Sequence, residues 1–236
     1  MKPNLSDLPA LVAEFARRSV TAGLNQGTSG NVSARSPEGF LITPSGRDMT
    51  GLGTADVVPV AMDGAAPEGL KPSSEWRFHR DIYAAFPEAG AIVHAHSPFA
   101  VALACLRRDI PPFHYMVAMA GGTDIRCARY ATFGTQALSD GALAALEGRS
   151  ACLLANHGML VIGSDLRRAL ALAVEFESLC AQFWRACQIG TPTLLSDAEM
   201  ADVLAKFRHY GQPAQAALLA DALPAAGPAA SGLSDG

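Results

Sequence analysis

Ala91-Ile92-Val93-His94-Ala95-His96 runs straight into Ser97-Pro98. Those six residues read as a short strand, and proline suits the first turn of a helix, where an amide has no partner to lose. The architecture can be read outward from this junction. Upstream, Ser74 opens a helix whose apolar stripe is Phe78, Ile82, Tyr83 and Phe86, closed by Pro87. Before it, Val32-Ser33-Ala34-Arg35 and Phe40-Leu41-Ile42-Thr43 flank Ser36-Pro37-Glu38-Gly39 and read as a hairpin. Thr43-Pro44-Ser45-Gly46 is a turn, Val57 to Val60 a weak strand and Asp63 to Lys71 a loop. A helix from Ser6 to about Gly23 carries apolar residues at Leu8, Leu11, Val12, Phe15, Ala16 and Val20. The stretch Asn25 to Asn31 that follows is too polar and glycine-rich to continue it.

Downstream, the Pro98 helix runs through Leu106, and Asp124 to Tyr130 reads as a strand. Ser139 to Leu146 is helical. Ala151 to Ala155 and Met159 to Ile162 are strands separated by Asn156-His157-Gly158. A long apolar helix, expected to be mostly buried, spans Asp165 to about Gln188. Ser196-Asp197-Ala198-Glu199 is a capping box that opens a last helix ending near Gly211. Helices alternating with strands, one hairpin among them, predict a layered α/β domain. The domain takes residues 1–211, and 212–236 are an Ala/Pro/Gly-rich tail expected to lack order.

Half of the 236 residues are hydrophobic and 17% are charged, a composition able to build a core. With 18 basic and 22 acidic side chains the net charge is −4, which argues against a nucleic-acid-binding surface. No apolar run is long enough for a bilayer, and acidic residues interrupt the N-terminus where an export signal needs an apolar stretch. A cytoplasmic protein is the expectation. The five cysteines (Cys105, Cys127, Cys152, Cys180, Cys187) form no C-x-x-C pair and read as small buried hydrophobes.

The sharpest chemical signal is His94-Ala95-His96. Side chains two apart on a strand project from one face, so two imidazoles can share an ion. His157, after another apolar strand, makes three, the ligand count of a catalytic zinc that keeps one position open. Two satisfied polar residues on a strand rim are the competing reading. Glu75 is the candidate fourth participant, although at the first turn of a helix a carboxylate also serves as a plain cap. His79, His114 and His209 read as structural or surface residues. Thr28-Ser29-Gly30-Asn31, Thr43-Pro44-Ser45-Gly46 and Ser73-Ser74 offer hydroxyls and amides to a phosphate, yet none is a Walker A loop or a dinucleotide fingerprint.

Taken in order, several motifs resemble the class II aldolase/adducin family. They are Thr28 to Ser33, Ile42 to Gly46, Pro72-Ser73-Ser74-Glu75-Trp76-Arg77-Phe78-His79, Val93 to His96, Ile110 through Met116, Ala120 to Gly122, Tyr130-Ala131-Thr132-Phe133-Gly134 and Asn156-His157-Gly158. The likeness is strongest to the L-fuculose-1-phosphate aldolase branch, with 5-deoxyribulose and 5-methylthioribulose 1-phosphate aldolases also similar, and it spans about residues 5–211. It implies a single-domain α/β/α fold around a mixed, largely antiparallel sheet. It also implies Zn2+ on His94, His96 and His157 (Mn2+ or Co2+ being alternatives), with Glu75 binding the ion or acting as base. Thr28, Gly30, Asn31, Ser45, Gly46, Ser73 and Ser74 would form the phosphate cradle; the family more often has Thr where Ser45 stands, a change that keeps the hydroxyl. Tyr115 would give a proton to the aldehyde oxygen from a neighbouring subunit of a homotetramer, with Tyr130 and Phe133 at that interface, and Tyr210 would help to close the site.

The reaction implied is cleavage of a deoxy-ketose 1-phosphate to dihydroxyacetone phosphate and an aldehyde, in carbohydrate metabolism or methionine salvage. The partner is a small phosphorylated sugar, without nucleic acid or membrane. Lys2, Lys71 and Lys206 lie in no apolar strand that would depress an amine, so no Schiff base is expected. Sugar-acid phosphate decarboxylases and methylthioribulose-1-phosphate dehydratases share the three histidines and stay open as alternatives. Pentulose-phosphate 4-epimerases usually carry Asp in place of Glu75. A non-catalytic adducin-like module would not need the catalytic set.

Overall fold

The computed structural model describes residues 5–210. Helix α1 (Leu8–Thr21) leads into the hairpin β1 (Asn31–Ser36) and β2 (Gly39–Ile42), then β3 (Val58–Ala61), α2 (Trp76–Ala85) and β4 (Ala91–Ala95). There follow α3 (Pro98–Ala104), β5 (Cys127–Ala128), α4 (Gln136–Leu146), β6 (Ala151–Leu154), β7 (Gly158–Gly163), α5 (Leu166–Ile189) and α6 (Asp197–Tyr210). The strands form one sheet in the order β3-β2-β1-β4-β7-β6-β5. Every pairing is antiparallel except β5 with β6.

Alternation along β4 decides what reaches each face of that sheet. Ala91, Val93 and Ala95 join a core with Val12 and Phe15 of α1, Leu103 of α3 and Phe176 of α5. Ile92 points the other way, into a core with Phe78, Ile82 and Tyr83 of α2 and Leu138, Ala142 and Leu146 of α4. Helices therefore cover both faces, giving the α/β/α layering. His94, two residues from Ile92, falls on the α2 face with no accessible surface, edge-on to the Phe78 ring at 5.5 Å. A polar side chain placed in that layer is costly unless partnered.

The same alternation places Asn31, Ser33 and Arg35 of β1 beneath α2. Arg35 donates to the carbonyls of Tyr83 and Phe86 at 2.7 and 2.9 Å, supplying positive charge and partners to the C-terminal end of that helix.

Some expectations need correction. Helix α4 begins at Gln136 rather than Ser139, because the Thr135 hydroxyl accepts from the Leu138 amide and caps it. The strand expected over Asp124 to Tyr130 shrinks to Cys127–Ala128, which pairs only with Leu153 and Leu154. Helix α5 buries one stripe, Leu166 through Ala181, but leaves Trp184 41% and Ile189 91% exposed, since only one side of a helix can face the sheet. The cysteines divide for the same reason: Cys152 and Cys180 are buried, Cys127 is intermediate, and Cys105 and Cys187 are exposed. The 212–236 tail lies outside the described residues.

Candidate active site

Strand β7 pairs with β4, Met159 opposite Ala95, so the β6–β7 turn carrying His157 lies beside the end of the strand that carries His94 and His96. Asn156 takes a left-handed φ of 54°, which asparagine tolerates better than most residues. A Cβ at Gly158 would stand 2.4 Å from the Ala95 carbonyl oxygen, so only glycine lets the turn approach this closely. The ligand nitrogens of His94, His96 and His157 consequently all lie within 4.8 Å of one another.

Glu75 enters this group from the N-terminal end of α2, where it occupies the cap position without making a cap bond. Its Oε2 is 3.1 Å from His94 Nε2, and its Oε1 is 3.2 Å from His157 Nε2. The His94 Nδ1–H donates to the Met159 carbonyl at 2.9 Å, which leaves Nε2 as the bare nitrogen of the neutral ring. That nitrogen faces the Glu75 carboxylate and, at 3.0 Å, His96 Nε2. Glu75 Oε1 is buried without a hydrogen-bond partner. Acceptor atoms converging this closely call for a positive charge among them, which a proton on His94 Nε2 supplies in the metal-free chain and a cation would supply in its place. Three imidazoles and a carboxylate, one ring oriented by a backbone carbonyl, are the donor set that suits zinc.

The protonation states differ among the three rings. Burial and the neighbouring His94 lower His96 to about 4, and burial with His94 does the same to His157, so both are neutral ligands near pH 7. Burial opposes charge on Glu75, but the charge and hydrogen bond of His94, then His157 and Asn31, outweigh it and hold the carboxyl down at about 2. Burial likewise opposes charge on His94, and the Glu75 carboxylate overcomes it, raising that imidazole.

A cavity of about 310 Å³ opens beside these groups. Thr28, Gly30, Asn31, Ser45, Gly46, Ser73 and Ser74 all line it, together with Ser29. Gly30, at φ +73°, is essential to this wall: a Cβ there would meet Asn25 Oδ1 at 2.2 Å and the His94 carbonyl oxygen at 2.6 Å. Gly30→Ala is expected to cost about 1–3 kcal/mol through its backbone alone, with the clash adding to that. The urea midpoint should fall, and affinity for a divalent cation at the three histidines should weaken with it, because Asn25 Oδ1 also accepts from the His96 amide at 3.1 Å.

Tyr130 and Phe133 line the same cavity, 56% and 64% exposed. Their loop is held by Gly134, whose carbonyl accepts from Arg77 at 2.7 Å and whose absent side chain would stand 2.8 Å from the Ser74 carbonyl. Tyr115 is not among the residues that line the cavity of its own chain. It opens a 3-10 turn, Tyr115–Ala120, against the His114 ring, and is 51% exposed. Tyr210 ends α6, but its side chain is outside the described residues. Sequence reasoning assigned no role to Asn25, beside a motif, or to Asn156, inside one, and His79, which reads as a structural or surface residue, is fully buried.

The family of the class II aldolase and adducin N-terminal domain matches residues 10–184. A protein of Rhodospirillum rubrum named 5-methylthioribulose-1-phosphate/5-deoxyribulose-1-phosphate aldolase is 56% identical over 202 residues, covering 86% of this chain and 91% of that one. The L-fuculose phosphate aldolase of Escherichia coli (strain K12) is 47% identical over 190 residues, 80% of this chain and 88% of that one. A solved structure titled L-fuculose 1-phosphate aldolase superposes with a TM-score of 0.83 at 38% identity, over 87% of this chain and 98% of the other. With the sheet, the three histidines and these relatives in agreement, the chain belongs to the class II aldolase and adducin N-terminal domain family, on its aldolase, enzymatic side.

Proposed function

We propose that this chain is a zinc-dependent class II aldolase that reversibly cleaves a deoxy-ketose 1-phosphate to dihydroxyacetone phosphate and an aldehyde. The observation that carries the reading is Glu75, wedged among His94, His96 and His157 at the edge of a cavity walled by hydroxyls and amides. His94, His96 and His157 would hold a divalent cation, which would supply Lewis-acid stabilisation of the negative charge that develops in the reaction. Thr28, Ser45, Ser73 and Ser74, with the amides at Gly30 and Gly46, anchor the phosphate and fix the distance to the reacting carbons. Glu75, ionised across the neutral range, moves the proton at the carbon that becomes nucleophilic. Tyr115, which does not line the cavity of its own chain, takes the proton from the hydroxyl that becomes the aldehyde oxygen in cleavage and returns it in condensation. It acts from a neighbouring copy of a tetramer whose junction Tyr130 and Phe133 pack.

Identity of 56% to the Rhodospirillum protein against 47% to the Escherichia coli protein supports testing 5-methylthio- and 5-deoxyribulose 1-phosphate first and L-fuculose 1-phosphate next. Dihydroxyacetone phosphate release from that panel, with and without chelator, is the test. Chelator-sensitive release is expected, and the ranking names the aldehyde half. No release from a zinc-loaded protein would favour a decarboxylase or dehydratase instead. Gel filtration showing a monomer would remove Tyr115 from the chemistry. Among the described residues no helix is long and apolar enough to cross a membrane.

A further inference from the structure

We propose that His79 is a positioning residue of this active site: with its ring proton on Nε2, it fixes the side-chain amide of Asn31 so that the NH2 group faces Glu75 and Ser73. The inference rests on the aldolase reading for its consequence, but not for its geometry. Asn31 and Ser33 stand two apart on β1 and share its α2 face. Glu75, His79 and Tyr83 stand four apart along the cap and body of α2 and share the face that meets it. The two spacings interlock into a ladder in which Asn31 lies between Glu75 and His79, and Ser33 between His79 and Tyr83.

The direction of every bond in this ladder is forced. Asn31 Nδ2 is 2.9 Å from Glu75 Oε2 and 3.0 Å from Ser73 Oγ. An ionised carboxylate only accepts, so this atom is the amide nitrogen and Asn31 Oδ1 faces the His79 ring. His79 Nε2 must then donate to it. The neutral ring accepts at Nδ1 from the Ser33 hydroxyl at 2.7 Å, and Ser33 Oγ accepts from the Tyr83 hydroxyl at 2.7 Å. A cationic His79 would turn Ser33 Oγ into an acceptor at Nδ1 and leave one hydroxyl proton, that of Ser33 or of Tyr83, without an acceptor in the ladder, although both side chains are buried. Burial also lowers His79 to about 3, keeping it neutral. Asn31, Ser33, His79 and Tyr83 are each at most 1% exposed.

The oxygen and nitrogen of an asparagine amide are nearly alike in shape, so sterics alone do not choose between the two orientations of Asn31. A flipped amide would set Oδ1 against the Glu75 carboxylate and withdraw a donor from Ser73. The His79 Nε2–H selects the same orientation as the Glu75 carboxylate from the opposite end of the amide, and holds it when the carboxylate turns to metal or substrate. Because one amide serves both Ser73 in the phosphate cradle and Glu75, releasing it should disturb substrate binding and proton transfer together.

The test uses the full zinc-loaded chain with 15N-labelled histidine, His79 being assigned by the signal lost in His79→Gln. The expected spectrum shows His79 protonated at Nε2 with a bare Nδ1, unchanged across the neutral range. A ring protonated at Nδ1, or a cationic ring, would overturn the proposal. His79→Leu, which cannot donate, is expected to lose about 10- to 100-fold in kcat with a raised KM, whereas His79→Gln, which can donate to Asn31 Oδ1, should recover most of both. A folded His79→Leu protein with wild-type kcat and KM would sink the idea, as would Gln and Leu variants equally impaired. If the Leu variant does not fold, the wild-type tautomer and the kinetics of His79→Gln decide. The spectrum needs no turnover, so a wild type inactive on every ketose would defeat the aldolase reading and still leave the tautomer to be judged.

Discussion

Glu75→Gln is expected to reduce dihydroxyacetone phosphate release by about 10²- to 10⁴-fold, the range that a positioned general base contributes, while zinc stays bound. The substitution keeps the length of the side chain and leaves an oxygen to accept from Asn31 Nδ2, which now stands 2.9 Å from Oε2. What it removes is the charge. Three imidazoles remain to hold the ion, as many protein ligands as catalytic zinc sites commonly have. Metal content and kcat, measured on the same preparation, separate the two roles of this carboxylate. Equal loss of zinc and of rate would make Glu75 chiefly a ligand, and near-normal turnover would remove it from the chemistry.

Removing the metal is the second large effect. Chelation is expected to abolish cleavage, and added zinc to restore it. At free zinc 100 times its dissociation constant, folding should gain about 2.7 kcal/mol over the metal-free protein, readable as a rise in the thermal midpoint. The pH dependence follows from the ligands. Zinc requires neutral imidazole, so protons compete at each histidine only below that histidine's metal-free pKa. His94 is raised above its ordinary 6.5, and His96 and His157 are lowered to about 4. Zinc affinity should therefore fall about tenfold per pH unit below the His94 value. It should steepen toward a thousandfold per unit only below about 4, where three protons compete. Glu75→Gln removes the charge that raises His94, so in that variant the first loss should begin at lower pH. Competition with a chromogenic chelator across pH measures both slopes. A single steep loss near the ordinary imidazole value would show that the three rings are not set apart as described.

His79 adds a stability effect of known sign. Its folded-state value of about 3 lies below the ordinary 6.5, so below 6.5 the unfolded chain takes up the proton first. Unfolding free energy should thus decline as pH falls from 6.5 toward about 3, and this part of the decline should be absent in His79→Gln. Denaturant titrations of the two proteins across that window give the difference.

How much of this could be read from the chain depends on how local each signal is. The Val32 to Thr43 hairpin, the β4–α3 junction and the capping box at Ser196 were legible because turn residues and periodicity act over a few positions. His94 and His96 were legible as a pair because strand alternation puts them on one face. His157 was legible as a third histidine at a strand end, whereas the resemblance carried Glu75, which spacing alone leaves as a helix cap. The extent of α5 burial, the exposure of Cys105 and Cys187 and the shortness of β5 were not legible, since each depends on which side of an element meets a neighbour distant in sequence.

The amino-acid sequence by itself determined the order of helices and strands, the two-face alternation of β1 and β4 and the types of donor available for a metal and a phosphate, because these follow from local backbone preference and side-chain chemistry. Only the tertiary structure decided that Glu75, His94 and His157 converge, that Gly30 and Gly158 let backbones approach where a Cβ would collide, that Tyr115 does not line the cavity of its own chain, and that His79 is buried against Asn31. The histidine site and the His79 contact depend on antiparallel pairing of β4 with β1 and β7 and on α2 lying across β1. Such contacts join residues tens of positions apart, and their energy is set by burial and by the direction of each hydrogen bond, quantities that exist only once the sheet and helix are in place.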